Sequence, residues 1–210
     1  MLIHIIFFLV SAFRWLQVNY IEVVAVVTGL LYVFYTIKEN RVLWIFGVIS
    51  SALYIIVFIT SEIYAYALLY IYYVIIGCYG WYTWSVKNND PESKGSSIVI
   101  KRASSGKIIM FLILTFVMAA PVYFLLIFFT SSDMAMMDAL LTAGSMVATW
   151  MLTRKYIEQW IFWIVIDVLS CILMIFKELY PSAILFFVYT LFAIKGYLEW
   201  KKNLEAATPN

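Results

Sequence analysis

Seven long apolar stretches separated by short polar turns make up most of the chain after residue 19. Each is about 20 residues long, which is the length of helix that crosses the hydrocarbon core of a bilayer. None shows the polar and apolar alternation of a membrane-spanning barrel strand. The pattern therefore predicts an all-α integral membrane protein with seven transmembrane helices, near residues 20–37, 42–60, 64–86, 108–129, 134–152, 157–176 and 181–200.

Three segments fall outside this pattern. Residues 1–19 contain an apolar run of about ten residues, which is short for a spanning helix. We predict a short N-terminal hydrophobic helix at the membrane interface, and an eighth spanning helix is the alternative. Residues 87–107 are polar and rich in asparagine, glycine and serine, which is typical of a flexible loop. Residues 203–210 are predicted to form a polar tail.

Composition agrees with a membrane protein and argues against other classes. Hydrophobic residues make up 65% of the chain and charged residues 12%, whereas soluble domains carry about 25% charged residues. The net charge of +2 is too small to indicate a nucleic-acid partner. The one histidine, His4, lies outside the seven spans and has no evident metal-binding partners. We therefore predict a protein of the lipid bilayer that has no cofactor and is not an enzyme.

The basic residues are distributed unevenly between the two sides that seven spans would create. Eleven fall on the side of the 87–107 loop and the C-terminus, whereas Arg14 and Lys177 fall on the other. Because cytoplasmic loops carry an excess of lysine and arginine, this loop and the C-terminus are predicted to be cytoplasmic. The eleven are Lys38, Arg41, Lys87, Lys94, Lys101, Arg102, Lys107, Arg154, Lys155, Lys201 and Lys202.

The chain contains an internal repeat at a shift of 116 residues. The shift needs no gap between Trp44 and Trp84, which fall on Trp160 and Trp200. It predicts two three-helix units, residues 20–86 and 131–202. A unit of three spans crosses the membrane an odd number of times, so a second copy joined directly to it would be inserted upside down. The helix at 108–130 adds one crossing and gives both copies the same orientation. The sequence therefore predicts a 3+1+3 arrangement of parallel repeats. Other matched pairs are Glu62 with Glu178, Tyr64 with Tyr180, Tyr73 with Tyr189, and Gly80 with Gly196. The two glycines are predicted to allow close contact between helices.

The sixth span carries the strongest candidate site. Trp160, Trp163 and Asp167 are spaced i, i+3 and i+7, so they share one helical face. An ionised acid near mid-bilayer costs roughly 2.5–3.5 kcal/mol, so it is either paired or faces a wet cavity. A cation can gain about 2 kcal/mol over a desolvated tryptophan ring. We therefore predict that this face binds a flat, positively charged small molecule.

Positions that differ between the repeats support an asymmetric ligand. Trp163 corresponds to Gly47, and Asp167 corresponds to Ser51, so one half presents a ring and an acid where the other is predicted to leave room. Two alternatives remain open, namely that Asp167 pairs with a polar neighbour and that Trp160 is scaffold like its counterpart Trp44.

Further candidates lie on the other spans. Substrate-binding roles are predicted for Tyr70 and Tyr73 in the third span and for Tyr189 in the seventh. Ser51 and Tyr54 in the second span are weaker candidates, and Glu22 and Trp44 are possible gate residues. Packing is the alternative for the aromatic residues, because aromatic stripes at helical spacing commonly fill cores.

These motifs resemble the PnuC family of nicotinamide riboside transporters over about residues 20–202. The resemblance rests on the Lys-x-x-Glu-x-Trp-x-x-Trp-x-x-x-Asp pattern at 155–167, on Tyr79–Trp84 and on Gly196–Trp200. It implies a fold similar to the SWEET sugar transporters, assembled as a homotrimer in the bacterial inner membrane. It also implies facilitated diffusion of a vitamin, without ion coupling, followed by trapping through a cytoplasmic kinase.

The identity of the vitamin stays open. Many family members carry an acid and a glutamine where this chain has Tyr66 and Tyr70, and relatives carry thiamine, riboflavin or deoxynucleosides. Nicotinamide riboside and thiamine are both flat cations that suit Trp163 and Asp167, whereas neutral riboflavin suits the acid less well. From another class, a substrate-binding subunit of an ATP-driven importer is a further alternative.

Overall fold

The computed structural model describes residues 20–60, 64–86, 99–130 and 134–207 of the chain. These residues form seven α-helices and no strand longer than a single bridge. Residues 1–19, Glu62 and most of the 87–107 segment lie outside the described residues, and so do the predictions made for them. The helices are α1 (Tyr20–Ile37), α2 (Leu43–Thr60), α3 (Tyr64–Val86), α4 (Ser105–Phe129), α5 (Ala135–Thr153), α6 (Gln159–Phe176) and α7 (Tyr180–Ala207).

The all-helical, multi-pass membrane class is confirmed. By length and composition, five helices of the described part can cross a membrane, namely α2, α4, α5, α6 and α7. The continuous apolar part of α1, Val23–Ile37, is shorter. The many tyrosines of α3 lower its hydropathy, although its length is sufficient.

Two helices extend beyond their predicted ends. The last helix continues to Ala207, past the predicted start of the tail at residue 203, because Leu204, Glu205 and the alanines that follow favour helix. Lys201 and Glu205 add an ion pair one turn apart, with 3.9 Å between Nζ and Oε1. At the other end of the 87–107 loop, α4 already begins at Ser105.

The last residues of the predicted flexible loop are docked. The backbone N–H of Lys101 donates to the carbonyl of Lys155 at 3.1 Å, and the N–H of Ile157 donates to the carbonyl of Lys101 at 3.1 Å. Glu158 accepts a hydrogen bond from the N–H of Ala103 at 2.9 Å. These bonds satisfy polar backbone groups that composition alone would assign to solvent, so residues 99–104 are held on the turn between α5 and α6.

Six of the helices form a closed ring. Consecutive helices pack within α1–α2–α3 and within α5–α6–α7, while α3 contacts α5 and α1 contacts α7. The remaining helix, α4, packs on α5 and touches α3 from outside the ring.

Matched glycine and tryptophan pairs allow close packing in the two halves. The indole of Trp44 lies directly on Gly80, and the indole of Trp160 lies on Gly196. A methyl group added at Gly196 would come within 2.5 Å of Trp160 Cη2, so only glycine fits. These contacts agree with the sequence interpretation of both glycines as close-contact positions.

Candidate functional site

The ring encloses a cavity of about 410 Å³ between its two halves. All six ring helices contribute to its described lining, whereas α4 contributes none of these residues. Its walls are mostly aromatic and aliphatic, with scattered hydroxyl groups and one carboxylate. A largely apolar cavity with a few convergent polar groups is typical of a small-molecule site.

Nearly all the predicted site residues line this one cavity. They approach it from four helices, because 3.6-residue periodicity places each predicted set on an inward face. Glu22 is the exception, since it lies in the first turn of α1 and its side chain is outside the described part. The lining includes Trp160, Trp163 and Asp167 from α6, Ser51, Tyr54 and Trp44 from α2, Tyr70 and Tyr73 from α3, and Tyr189 from α7.

Asp167 is the one charged side chain in the described lining. It is only 6% exposed, and no lysine or arginine of the described chain forms an ion pair with it. Lys195 is exposed on the outside of the same bundle and does not reach it. No ion pair holds Asp167 among these residues, and its pairing with a polar neighbour stays a prediction. Its carboxylate is an acceptor available to a ligand that enters the cavity.

Trp160 and Trp44 are part of both the wall and the core. Each indole packs edge-on against a second tryptophan, with ring centroids 5.7 Å apart for Trp160 and Trp200 and 5.6 Å apart for Trp44 and Trp84. The buried Nε1–H groups of Trp44 and Trp160 have no hydrogen-bond acceptor in the described structure. Both residues therefore have a scaffold role, and each retains an unsatisfied donor beside the cavity.

The space opposite Trp163 is not empty, which corrects one expectation. The sequence predicts room for a ligand at Gly47, but a methyl group there would lie 2.9 Å from Cδ2 of Tyr32. The Tyr32 ring, which α1 supplies, covers the glycine. Tyr32 corresponds to the fully buried Ala148 in the second half. Each half thus contributes one large ring beside this position, Tyr32 from α1 in the first half and Trp163 from α6 in the second.

Tyrosines dominate another part of the cavity wall. Tyr54 and Tyr70 lie 5.0 Å apart between ring centroids, and Tyr73 packs edge-on against Tyr70 at 5.6 Å. Tyr66, one helical turn before Tyr70, is more exposed and stacks on Phe58 at 5.4 Å between ring centroids. Tyr54, Tyr70 and Tyr73 give the first half an aromatic surface on the same cavity as the tryptophans of α6.

Sequence reasoning missed the contributions of α1 and α5. Gly29 and Thr36 line the cavity from α1, and Ser145 and Thr149 line it from α5. The 116-residue shift could have found part of this set, because it superposes Gly29 on Ser145. These residues were missed because small and hydroxyl side chains in apolar helices give no distinctive pattern.

The described residues offer no cluster of metal ligands. They contain no group of three or more histidine, cysteine or acidic residues that could hold a metal ion. The cavity offers binding groups, namely one acid, flat aromatic faces and hydroxyl groups. A flat organic cation that also carries hydroxyl groups matches all three.

Comparison with known proteins identifies the relatives of this chain. Residues 19–202 match the family model of the nicotinamide mononucleotide transporter. The nicotinamide riboside transporter PnuC of Escherichia coli is 26% identical over 205 residues, covering 88% of this chain and 86% of that protein. PnuC of Neisseria mucosa is 27% identical over 191 residues, covering 88% of this chain and 73% of that protein.

A solved structure shares the fold. The crystal structure of the vitamin B3 transporter PnuC has a TM-score of 0.72 to this chain at 22% identity. The likeness covers 95% of this chain and 88% of that one. The helical arrangement described above is therefore that of a solved membrane transporter.

Proposed function

The chain belongs to the nicotinamide mononucleotide transporter family, and from this premise we propose that it takes up a flat cationic vitamin by facilitated diffusion. Nicotinamide riboside is the proposed substrate, since the curated relatives of this chain are transporters of that compound. The observation that carries the proposal is the cavity between the two halves, which Asp167 lines together with aromatic rings and with no basic residue in the described lining.

The charge of the cavity favours the riboside over the mononucleotide. Asp167 attracts the pyridinium ring of either molecule, but no lysine, arginine or histidine appears in the described lining. A phosphate group would therefore lose its hydration without gaining a cationic partner, which is costly in an apolar site. The riboside has hydroxyl groups in place of that charge, and Ser51, Ser145 and Thr149 can hydrogen-bond to them.

The architecture proposed here is 3+1+3, with two parallel repeats joined by α4. Its support is that equivalent positions meet the cavity from the two halves, including Trp44 with Trp160 and Tyr73 with Tyr189. The reciprocal contacts of α3 with α5 and of α1 with α7 also fit a two-fold relation. We propose the bacterial inner membrane on the basis of the family resemblance, and a cytoplasmic C-terminus on the basis of the cation distribution.

Two further elements of the proposal rest on the family resemblance. They are assembly as a homotrimer and trapping of the vitamin through phosphorylation by a cytoplasmic kinase. Trapping would supply direction to a carrier that is not coupled to ions or ATP, because the phosphorylated product no longer suits the cavity.

Uptake by purified protein in liposomes tests the function. We expect radiolabelled nicotinamide riboside to equilibrate across the membrane without ATP, an ion gradient or a partner protein. Binding without flux would instead indicate a substrate-binding subunit, and the absence of both would contradict the proposal. Empty liposomes from the same lipid provide the control for passive leakage.

Competition distinguishes the riboside from the mononucleotide. We expect nicotinamide mononucleotide to compete with labelled riboside at least tenfold more weakly than unlabelled riboside does, because its phosphate finds no base in the cavity. Inhibition constants from the same liposomes measure this ratio. Equal inhibition constants for the two compounds would contradict this prediction, because they would mean that the protein binds the phosphate through groups outside the described lining.

The Trp163 ring is predicted to stack on the bound cation. Trp163→Ala should weaken riboside binding about tenfold, because cation–π contact in a partly desolvated site contributes about 1–2 kcal/mol. Phe162→Ala is the matched control, since Phe162 packs against the separate core cluster of Phe111 and Met151. Calorimetry should show little change in affinity for the control. Similar losses for both variants would mean that the aromatic residues only pack.

Thiamine is a second candidate, and the tyrosine surface is the observation that favours it. Thiamine carries two aromatic rings, so one could stack on Trp163 while the other contacts Tyr54 and Tyr70. A thermal-shift comparison of the two vitamins on the same purified protein would rank them.

A further inference from the structure

Glu39 and Lys155 meet at one end of the ring, where the turn after α1 and the turn after α5 approach each other. The ammonium Nζ of Lys155 lies 3.2 Å from Oε2 of Glu39. The side chain of Glu39 is only 20% exposed, and that of Lys155 only 13%. They are separated by 116 residues, so they occupy the same position in the two repeats.

The geometry of the two turns is also the same. Glu39 has φ of 53° and Lys155 has φ of 52°, which is left-handed backbone that non-glycine residues seldom adopt. In two repeats related by an axis, equivalent residues can touch each other only close to that axis. Identical charges would repel there, whereas this chain places opposite charges at the two positions and obtains an attraction.

Neighbouring groups reinforce the contact. Asn203 Nδ2 donates to Oε1 of Glu39 at 2.6 Å, and Lys155 Nζ lies 4.6 Å from the centre of the Trp84 ring. Two reciprocal bonds then tie the halves together. Trp84 Nε1 donates to the carbonyl of Thr153 at 3.2 Å, and Trp200 Nε1 donates to the carbonyl of Thr36 at 3.1 Å.

This cluster lies behind the tryptophans that form one end of the cavity. Trp44 and Trp160 line the cavity and pack edge-on against Trp84 and Trp200, respectively. The ring of Trp84 in turn contacts Lys155. A molecule leaving at this end would have to separate the tryptophans and the ion pair beyond them.

We propose that the Glu39–Lys155 ion pair is the latch of the gate at this end of the cavity, closed in the present structure. The inference rests on the proposed transport function, since a gate has a purpose only if a ligand passes. The latch would open when the α1–α7 and α3–α5 contacts part, and the opposite charges would draw the two turns together again. By the cation distribution, this is the cytoplasmic end.

Charge reversal combined with cysteine labelling tests the latch without any vitamin. The parent carries Cys78→Ser, Cys171→Ser and Ser145→Cys, which leaves one thiol in the cavity wall. A membrane-impermeant maleimide is applied separately to vesicles of both orientations. We expect Glu39→Lys to raise the labelling rate about tenfold, and only from the side that holds the latch, because two lysines would then face each other.

The swapped pair provides the decisive comparison. Glu39→Lys combined with Lys155→Glu should return the labelling rate to within about threefold of the parent, since attraction is restored although the contact with Trp84 is lost. Lys201→Glu is the matched control, because it disrupts an exposed ion pair at the same end of the molecule. It should leave labelling unchanged.

Several results would overturn the latch. They are equal labelling of Glu39→Lys and the parent, no recovery in the swapped pair, or equal acceleration from both sides of the membrane. Thermal unfolding of each variant in detergent confirms that it is folded. Failure of riboside uptake by the unmodified protein would refute the transport function, and it would leave the labelling comparison intact.

Discussion

Asp167→Asn is expected to weaken binding of nicotinamide riboside about 100-fold, which corresponds to about 2.7 kcal/mol. The substitution keeps the size of the side chain and removes the one charge in the described cavity lining. No described basic residue pairs with Asp167, so its attraction for a ligand cation is not shared with a protein partner. Calorimetric titration of the purified variant gives the affinity directly.

Two controls show whether charge is the cause. The reduced form of the riboside has a similar shape without a positive ring, so Asp167→Asn should change its affinity much less. Asp138→Asn makes the same chemical change at an acid that pairs with Lys177, with 3.3 Å between Nζ and Oδ2, and that is not among the cavity-lining residues. An equal loss for the charged and the neutral riboside would remove the electrostatic basis of the proposed site.

Gly196→Ala is expected to destabilise the fold by about 3 kcal/mol, at the upper end of typical costs for overpacking. The added methyl group would overlap the indole of Trp160, which is rigid and 3% exposed and cannot move aside. Gly80→Ala should have a comparable effect, because the ring of Trp44 covers it in the same way. Thermal unfolding in detergent, followed for each variant at equal protein concentration, measures the loss.

Gly106→Ala is the matched control for these substitutions. Gly106 lies in the first turn of α4, and an added methyl group there meets no atom within 4 Å. Its replacement should be neutral or slightly stabilising, since alanine favours helix more than glycine does. If all three alanine variants melted alike, the tryptophan contacts would not be limiting the space at Gly80 and Gly196.

Helix positions could be predicted well because burial in lipid leaves a strong local signal. Each apolar stretch must satisfy its own backbone hydrogen bonds, so its length and composition reveal a helix. The face of Trp160, Trp163 and Asp167 could be predicted for a similar reason, since periodicity within one helix fixes which residues point together. The C-terminal end of the last helix was harder to predict, because polar residues such as Lys201 and Glu205 are compatible with both a helix and a polar tail.

Contacts between distant segments could not be predicted in the same way. Tyr32 covers Gly47, but nothing near Tyr32 in the sequence marks it as different from other apolar-helix tyrosines. The ion pair of Glu39 with Lys155 depends on how two turns meet in space. Counting cations placed Lys155 on one side of the membrane, but the count could not show that an acid of the other repeat lies beside it.

The position of α4 has a consequence for how such proteins diversify. This helix lies outside the ring, and none of the described cavity-lining residues belongs to it. Natural selection for substrate specificity therefore acts on α4 only indirectly. Its outward surface can drift to suit membranes of different thickness, or neighbours of different shape, while the carrier itself stays unchanged.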